Sequence, residues 1–203
     1  MRQCEGQKTD RNNLVLIGFM GSGKTSVGIE LSYVLRRTFS DTDTMIECRE
    51  GRRIREIFET NGEGFFREKE TQLLRELSTS LHDKILSVGG GTPIREENAE
   101  LLRQIGTVIY LRIRPETVYE RLKGDDTRPL LKCENPLERI KDLLDQRKEI
   151  YETAADLIVD VDALTIKEVV SVILEELRKR QEVDKMKILV INGPNLNFLG
   201  IRE

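Results

Sequence analysis

Gly18-Phe19-Met20-Gly21-Ser22-Gly23-Lys24-Thr25 follows the pattern G-x-x-x-x-G-K-[ST] of a P-loop. The apolar run at 14–17 before it is typical of a buried parallel strand. After it, residues 26–37 carry apolar side chains at helical spacing. The motif therefore stands between a predicted strand and a predicted helix, as a P-loop must. A chance glycine-rich turn followed by Lys-Thr would not explain this context.

The P-loop predicts a site for a nucleoside triphosphate. Its glycines let successive backbone N–H groups turn towards phosphate oxygens, and the helix N-terminus adds partial positive charge. Lys24 is expected to contact the β- and γ-phosphates, and the hydroxyl of Thr25 is expected to bind Mg²⁺. The triphosphate-binding residues predicted on this loop are Gly21, Ser22, Gly23, Lys24, Thr25 and Ser26.

Length and composition limit the function classes. The 203 residues suit one domain with some chain to spare, and the net charge of -3 gives no overall field that would favour nucleic acid or a membrane surface. Cys4, Cys48 and Cys133 are isolated thiols, which indicates a reducing, cytoplasmic environment. No apolar run approaches the roughly 20 residues of a membrane span. We expect residues 1–12 to be disordered.

The remaining elements predict the fold class. Five apolar segments alternate with amphipathic helical segments along the chain, which indicates a three-layer α/β domain with a five-stranded parallel sheet. Because the carboxyl ends of parallel strands face the ligand crevice, the residues that follow each strand are the candidates for function.

Two strands end in candidate residues. Asp41 and Asp43 follow the second strand, and Gly89-Gly90-Gly91 follows the third. Helix capping is the alternative role for the aspartates, but Thr44 and Glu47 supply a capping box that needs neither of them. No other strand ends in the acidic residue of P-loop ATPases, so Asp41 is expected to be the second partner of the metal. The glycines either bring bare backbone to a ligand or form a flexible turn, and the residues alone leave both open.

Two further features stay open when the residues are taken alone. Arg67 and Glu70 share one helix face, and spacing by itself favours a solvated ion pair of little energetic weight. Residues 123–131 are polar and contain Gly and Pro, as expected for a mobile lid in which Arg128 neutralises charge on the transferred group. The alternative for this segment is an ordinary surface loop with a salt-bridged arginine.

Six landmarks at consistent spacing make the chain similar to a known family. They are the P-loop, Asp41-Thr42-Asp43, Phe65-Phe66-Arg67 with Glu70, Gly89-Gly90-Gly91, Arg128-Pro129-Leu130-Leu131, and Gln146-Arg147 followed by Tyr151. Over about residues 13–177 the chain resembles shikimate kinases, which are P-loop enzymes with a fold like that of nucleoside monophosphate kinases. The resemblance implies phosphorylation of shikimate at its 3-hydroxyl by ATP with Mg²⁺, giving shikimate 3-phosphate and ADP in chorismate and aromatic amino acid biosynthesis.

The resemblance also implies roles for the substrate-binding residues. Asp43 would hold the acceptor hydroxyl and serve as its base. Arg67 and Arg147 would bind the shikimate carboxylate, Gly89 to Gly91 would present N–H groups to the same substrate, and Glu70 would orient Arg67. These roles fit phosphoryl transfer, in which positioning and cationic neutralisation dominate and a planar carboxylate calls for Arg rather than Lys.

On the nucleotide side, the resemblance implies that Arg121 stacks on adenine and that Asp41 holds the hydration shell of Mg²⁺. Lys24 and Arg128 would act on the phosphates during transfer, Arg128 by moving in with the lid.

A related small-molecule kinase such as gluconate kinase is the alternative among enzymes, although it does not require the pair of Arg67 and Arg147 with the three glycines. A regulatory module that binds ATP without catalysis is the alternative outside enzymes, and the intact Asp43, Lys24 and Arg128 oppose it.

A second resemblance begins after the charged residues 178–185. Residues 186–203, with Asn192-Gly193-Pro194-Asn195-Leu196-Asn197, look like the opening of a type II 3-dehydroquinate dehydratase. We therefore expect a monomeric shikimate kinase domain at 13–180, followed at 181–203 by a linker and the first residues of a fused dehydratase. That second part is expected to be inactive because it stops before the catalytic tyrosine of the dehydratase pattern.

Overall fold

The computed structural model describes residues 12–123 and 135–185, apart from the side chains at 181 and 183–185. Three sets of predictions lie outside these residues. They are the disordered N-terminus up to residue 11, the lid with Arg128, and the dehydratase-like segment at 186–203.

Five parallel strands form one sheet, as predicted. They are β1 (Leu14–Ile17), β2 (Thr38–Asp41), β3 (Lys84–Ser87), β4 (Thr107–Arg112) and β5 (Leu157–Asp160). Their order in the sheet is β2-β3-β1-β4-β5, and every neighbouring pair is parallel. The central strand β1 is buried throughout and carries the P-loop at its carboxyl end, between the ends of β3 and β4. The connections from β1 and β3 leave in opposite directions, so the P-loop stands beside a topological switch point.

Seven α-helices within the described part of the chain cover the two faces of the sheet. They are α1 (Lys24–Leu35), α2 (Thr42–Glu50), α3 (Ile54–Ser80), α4 (Glu96–Ile105), α5 (Pro115–Leu122), α6 (Pro136–Ala154) and α7 (Ile166–Lys185). A short 3₁₀ turn at Thr92–Ile94 joins the glycines after β3 to α4.

Alternate residues of β1 point into two separate cores. Leu14 and Leu16 pack with side chains from α1, α5, α6 and α7, whereas Val15 and Ile17 pack with side chains from α3 and α4. This alternation is what a period-two strand buried on both faces requires. The three-layer α/β fold predicted from the sequence is therefore confirmed.

Several helix boundaries differ from those that the sequence patterns predict. The patterns predict helices at 44–50 and 165–180, but α2 begins at Thr42 and α7 continues to Lys185. The turn signal at Asn61-Gly62 predicts two separate helices, which instead run together as α3, although Gly62 itself has the non-helical angles φ 80° and ψ 173°. The turn signals were therefore located correctly, while the exact helix ends depend on capping contacts that periodicity does not report.

Candidate active site

The P-loop is already folded as a phosphate cradle. Gly18 has φ 147° and Gly23, the residue before α1, has φ 89°, values that favour glycine. A Cβ on Gly18 would also lie 2.8 Å from the carbonyl oxygen of Leu111. The ammonium group of Lys24 donates to the carbonyl oxygens of Gly18 at 2.8 Å and Phe19 at 3.2 Å. Lys24 is thus held across the loop, where a β- or γ-phosphate would contact it.

Arg121 ties the P-loop to the far side of the nucleotide crevice. Its guanidinium donates to the carbonyl oxygen of Gly21 at 2.9 Å and to that of Val161 at 3.1 Å. It lines a cavity of about 360 Å³ together with residues of the P-loop, the start of α1 and the β5–α7 connection, including Ser26. This cavity lies where a base attached to P-loop-bound phosphates would be. A larger cavity of about 510 Å³ between β2 and α2 contains Asp41 but none of the other predicted residues, so we do not assign it to the site.

Asp41 caps α2, which corrects the capping box predicted at Thr44 and Glu47. One carboxylate oxygen of Asp41 accepts from the N–H of Asp43 at 3.0 Å and from that of Thr44 at 3.4 Å. Glu47 instead accepts from the N–H of Ile54 at the start of α3. The helix needs a side-chain acceptor at the residue before its first turn, and that residue is Asp41 once α2 begins at Thr42. Asp41 therefore has a structural role that the sequence analysis had set aside.

Asp43 is the most perturbed carboxylate in the crevice. Burial, followed by the nearby charges of Asp41 and Glu70, raises its pKa to about 6, although Lys24 and Arg67 act in the opposite direction. One oxygen of this carboxylate is buried and has no hydrogen-bond partner among the described residues. A buried acceptor without a donor points to a ligand hydroxyl as its missing partner. A pKa near 6 also leaves most of the group ionised at neutral pH, as a general base requires.

Glu70 and Arg67 form a buried pair rather than the solvated one that spacing alone favoured. Glu70 is 1% exposed, and its two oxygens accept from the Arg67 guanidinium at 2.6 Å and from the Thr92 hydroxyl at 2.5 Å. Glu63, one turn earlier on α3, accepts from the same guanidinium at 3.0 Å. Arg67 is therefore held in one orientation, because its charge and its donors are matched on two sides.

The glycines after β3 lie close to the side chains of Asp43 and Arg67. A Cβ on Gly89 would lie 2.9 Å from the unpaired oxygen of Asp43, and a Cβ on Gly91 would overlap the guanidinium of Arg67. The N–H of Gly89 already donates to the hydroxyl of Thr42 at 3.3 Å. Of the three N–H groups proposed for a ligand, those of Gly90 and Gly91 are consequently the better candidates.

Arg147 enters the crevice from α6. Its guanidinium carbon lies 5.6 Å from the centre of the Phe19 ring in the P-loop, a cation–π contact. It also faces the hydroxyl of the buried Tyr151, which in turn senses the charge of Arg67. The structure therefore brings Arg67 and Arg147 within electrostatic reach of one side chain, that of Tyr151.

Ser87 is a further candidate residue that sequence reasoning did not single out. It ends β3, opposite Asp41 of β2 and Leu16 of β1 in the sheet register. Its hydroxyl is buried and has no hydrogen-bond partner within the described part of the chain. The signal in the sequence was a polar residue at the end of an apolar strand, directly before Val88 and the glycines.

The described residues include no group of three or more His, Cys, Asp or Glu side chains that could hold a metal ion by themselves. Among the predicted metal partners, Thr25 lies in the first turn of α1 and Asp41 at the carboxyl end of β2, where it pairs in the sheet with Ser87 of β3. None of the described helices is both long enough and apolar enough to cross a membrane.

Comparisons with known proteins identify the family of the chain. The sequence model of the family described as "SKI: Shikimate kinase" matches residues 20–178. A shikimate kinase of Nitrosococcus oceani is 41% identical over 167 residues, which are 82% of this chain and 87% of the relative. The solved structure titled a shikimate kinase from Acinetobacter baumannii in complex with shikimate superposes with a TM-score of 0.78 and 36% identity, over 88% of this chain and 97% of that one.

A gluconokinase from Sinorhizobium meliloti is a more distant structural neighbour. It has a TM-score of 0.51 and 14% identity over 86% of this chain and 98% of that one. At this identity the likeness extends to the fold alone.

The perturbed pKa of Asp43 predicts how stability depends on pH. Since the folded-state pKa is raised from 3.8 to about 6, the protonated carboxyl stabilises the fold at low pH, and that stabilisation is lost as the pH rises through 6. Asp43→Asn cannot lose a proton. The variant should therefore match the wild type near pH 4 and gain about 1–3 kcal/mol in free energy of unfolding by pH 7.5.

Urea unfolding at several pH values between 4 and 7.5 measures this difference. Asp142→Asn, at an exposed position of α6, is the matched control and should show no such gain. A difference between Asp43→Asn and wild type that stays constant across the range would contradict the raised pKa.

Proposed function

Since the chain belongs to the shikimate kinase family, we propose that its P-loop, Asp43 and the arginines beside the glycine turn together transfer a phosphoryl group from ATP to the 3-hydroxyl of shikimate. The products are shikimate 3-phosphate and ADP. The observation that most directly supports this proposed reaction is the position of Asp43. Its unpaired buried oxygen senses Lys24 on the phosphate side and Arg67 on the other.

Shikimate is proposed to bind between Arg67 and Arg147 through its carboxylate. Arg67 is anchored by Glu70 and Glu63, and Arg147 by Tyr151 and Phe19, so both guanidinium groups are oriented before a ligand arrives. Pre-oriented planar donors bind a carboxylate with little loss of side-chain entropy. The N–H groups of Gly90 and Gly91 add neutral donors on the same side.

Asp43 is proposed to accept the proton of the 3-hydroxyl. As the hydroxyl oxygen bonds to the γ-phosphorus, its O–H bond breaks, the proton passes to Asp43, and the bond from phosphorus to the β–γ bridging oxygen breaks with its electron pair left on ADP. Lys24, held across the P-loop, neutralises charge on the phosphate oxygens. Arg128 lies outside the described residues and keeps its proposed role as a further cation at the transferred group.

Mg²⁺ fits the residues at the end of the sheet. Mg²⁺ usually takes only one or two protein ligands and completes its shell with phosphates and water. Thr25 offers a hydroxyl, Asp41 has an oxygen beyond the one that caps α2, and Ser87 has an unpaired buried hydroxyl. When bound, the ion would neutralise phosphate charge and orient the terminal phosphate.

Gluconate kinase chemistry, the alternative among enzymes, has less support. The likeness to the gluconokinase does not extend beyond the fold. Two pre-oriented arginines beside a glycine turn suit a rigid carboxylic acid.

Further proposals are that residues 13–180 act as a monomeric domain in the cytoplasm, and that nucleic acid and membranes are not its partners.

Residues 186–203 are proposed to correspond to the opening of a type II 3-dehydroquinate dehydratase fused to the kinase, and to take no part in phosphoryl transfer. One fact supports this boundary. The match to the shikimate kinase family ends at residue 178.

An assay of ADP release with and without shikimate tests the proposed reaction. ADP release should depend on shikimate, and gluconate should not replace it. Asp43→Asn should lower turnover by at least about 10²-fold, the low end of general-base effects, while ATP affinity stays nearly the same. Turnover of this variant within a few-fold of wild type would contradict the role of Asp43.

Removal of one arginine tests the carboxylate site. Arg67→Ala should weaken shikimate binding by about 2–5 kcal/mol, because it leaves the substrate carboxylate and Glu70 without their partner. ATP affinity should change little. Arg75→Ala, at an exposed position two turns later on α3, is the matched control. If Arg67→Ala binds shikimate as tightly as the control does, the carboxylate site is wrong.

Shortening the chain tests the boundary at residue 185. A chain that ends at Lys185 should keep its kcat and melt within a few degrees of the 203-residue chain. The 203-residue chain should not dehydrate 3-dehydroquinate, because its likeness to the dehydratase covers only residues 186–203. A large loss of kinase stability on shortening would show that the segment packs against the kinase.

A further inference from the structure

Tyr151 is a buried polar residue between two parts of the substrate site. It lies on α6, one turn after Arg147, and is fully buried. Its hydroxyl donates to the carbonyl oxygen of Gly90 at 2.5 Å. The ring packs against Tyr110 of β4, with 5.0 Å between ring centres and a tilt of 37°. The apolar part of Tyr151 thus belongs to the core, and only the hydroxyl reaches the crevice.

The bond to Gly90 controls the orientation of one peptide group in the glycine turn. In a trans peptide the carbonyl of Gly90 and the N–H of Gly91 point in opposite directions, and the described residues contain no cis peptide. Holding the carbonyl against Tyr151 therefore directs the N–H of Gly91 away from α6. Gly90 also approaches the P-loop, since a Cβ on it would lie 3.4 Å from the carbonyl oxygen of Gly18.

The same hydroxyl lies near Arg147, which is spaced i, i+4 from Tyr151 on α6. Burial raises the pKa of Tyr151, and the nearby charge of Arg147 acts in the opposite direction, so the phenol keeps its proton at neutral pH. Because the phenol donates that proton to Gly90 and Arg147 can only donate, the guanidinium faces the phenol oxygen as an acceptor. Phe19 contacts the guanidinium as a further restraint.

One hydroxyl therefore connects the glycine turn after β3 with the arginine from α6. We propose that Tyr151 is a positioning residue for shikimate, and that it sets the direction of the Gly91 N–H and of the Arg147 guanidinium at the same time. The proposal rests on the proposed function, in which both groups bind the substrate. Tyr151 itself does not touch the substrate, and its effect on affinity passes through these two groups.

Tyr151→Phe removes the hydroxyl and keeps the ring packed on Tyr110. The dissociation constant for shikimate, measured by calorimetry, should rise at least about fivefold, since a buried carbonyl and a cation each lose a partner. The dissociation constant for ATP should stay within about twofold of wild type. Tyr110→Phe makes the same chemical change on the neighbouring ring and is the matched control, with shikimate affinity close to wild type. Unchanged shikimate affinity in Tyr151→Phe overturns the proposal.

A double-mutant cycle with Arg147→Ala tests whether Tyr151 acts through the arginine. In the Arg147→Ala background, Tyr151→Phe should weaken shikimate binding by a smaller factor than in wild type, because one of its two routes is already gone. Equal factors in both backgrounds overturn the proposal while the carboxylate site stands. If Arg147→Ala alone leaves shikimate affinity unchanged, Arg147 is not part of the carboxylate site and both proposals fail.

Discussion

The pairing of the buried Glu70 carboxylate with Arg67 and Thr92 is the interaction on which the candidate substrate site depends. A carboxylate that is 1% exposed must be fully paired, and Glu70 achieves this with Arg67 from its own helix and Thr92 from the 3₁₀ turn. The pair therefore joins α3 to the segment that follows the glycines. Removing one member would strand the other charge in the interior, which typically costs about 3–5 kcal/mol.

The network continues behind Glu70 and explains why the glycine turn is held so closely. Asn98 of α4 is fully buried and donates to the carbonyl oxygen of Thr92 at 3.0 Å, while its own amide oxygen accepts from Thr71 of α3 at 2.8 Å. Tyr151 restrains the same turn from the other side through Gly90. The backbone that is proposed to face shikimate is thus supported by α3, α4 and α6.

Asp41 and Asp43 show how position separates two identical side chains. Asp41 lies at the end of β2 and accepts from backbone N–H groups of α2, as a helix cap does. Asp43 follows two residues later, in the first turn of α2, where burial and two neighbouring carboxylates raise its pKa to about 6. Asp41 is thereby suited to capping α2 and to balancing the charge of a cation, and Asp43 is suited to proton transfer.

The sequence by itself determined the order of elements, the P-loop and the candidate residues, because strand and helix periodicities, glycine positions and motif spacing are local properties of the chain. It could not reveal the order of the strands in the sheet, the burial of Glu70 and Ser87, or the contacts that Thr92 and Tyr151 make, because these depend on residues far apart in sequence. The cap of α2 by Asp41 is a local contact, but it depends on where the helix begins, which periodicity does not report. Glu70 meets Thr92, and Gly90 meets Tyr151, only after the parallel sheet has brought their segments together. Burial then decides which polar groups are paired, which are perturbed and which are left for a ligand.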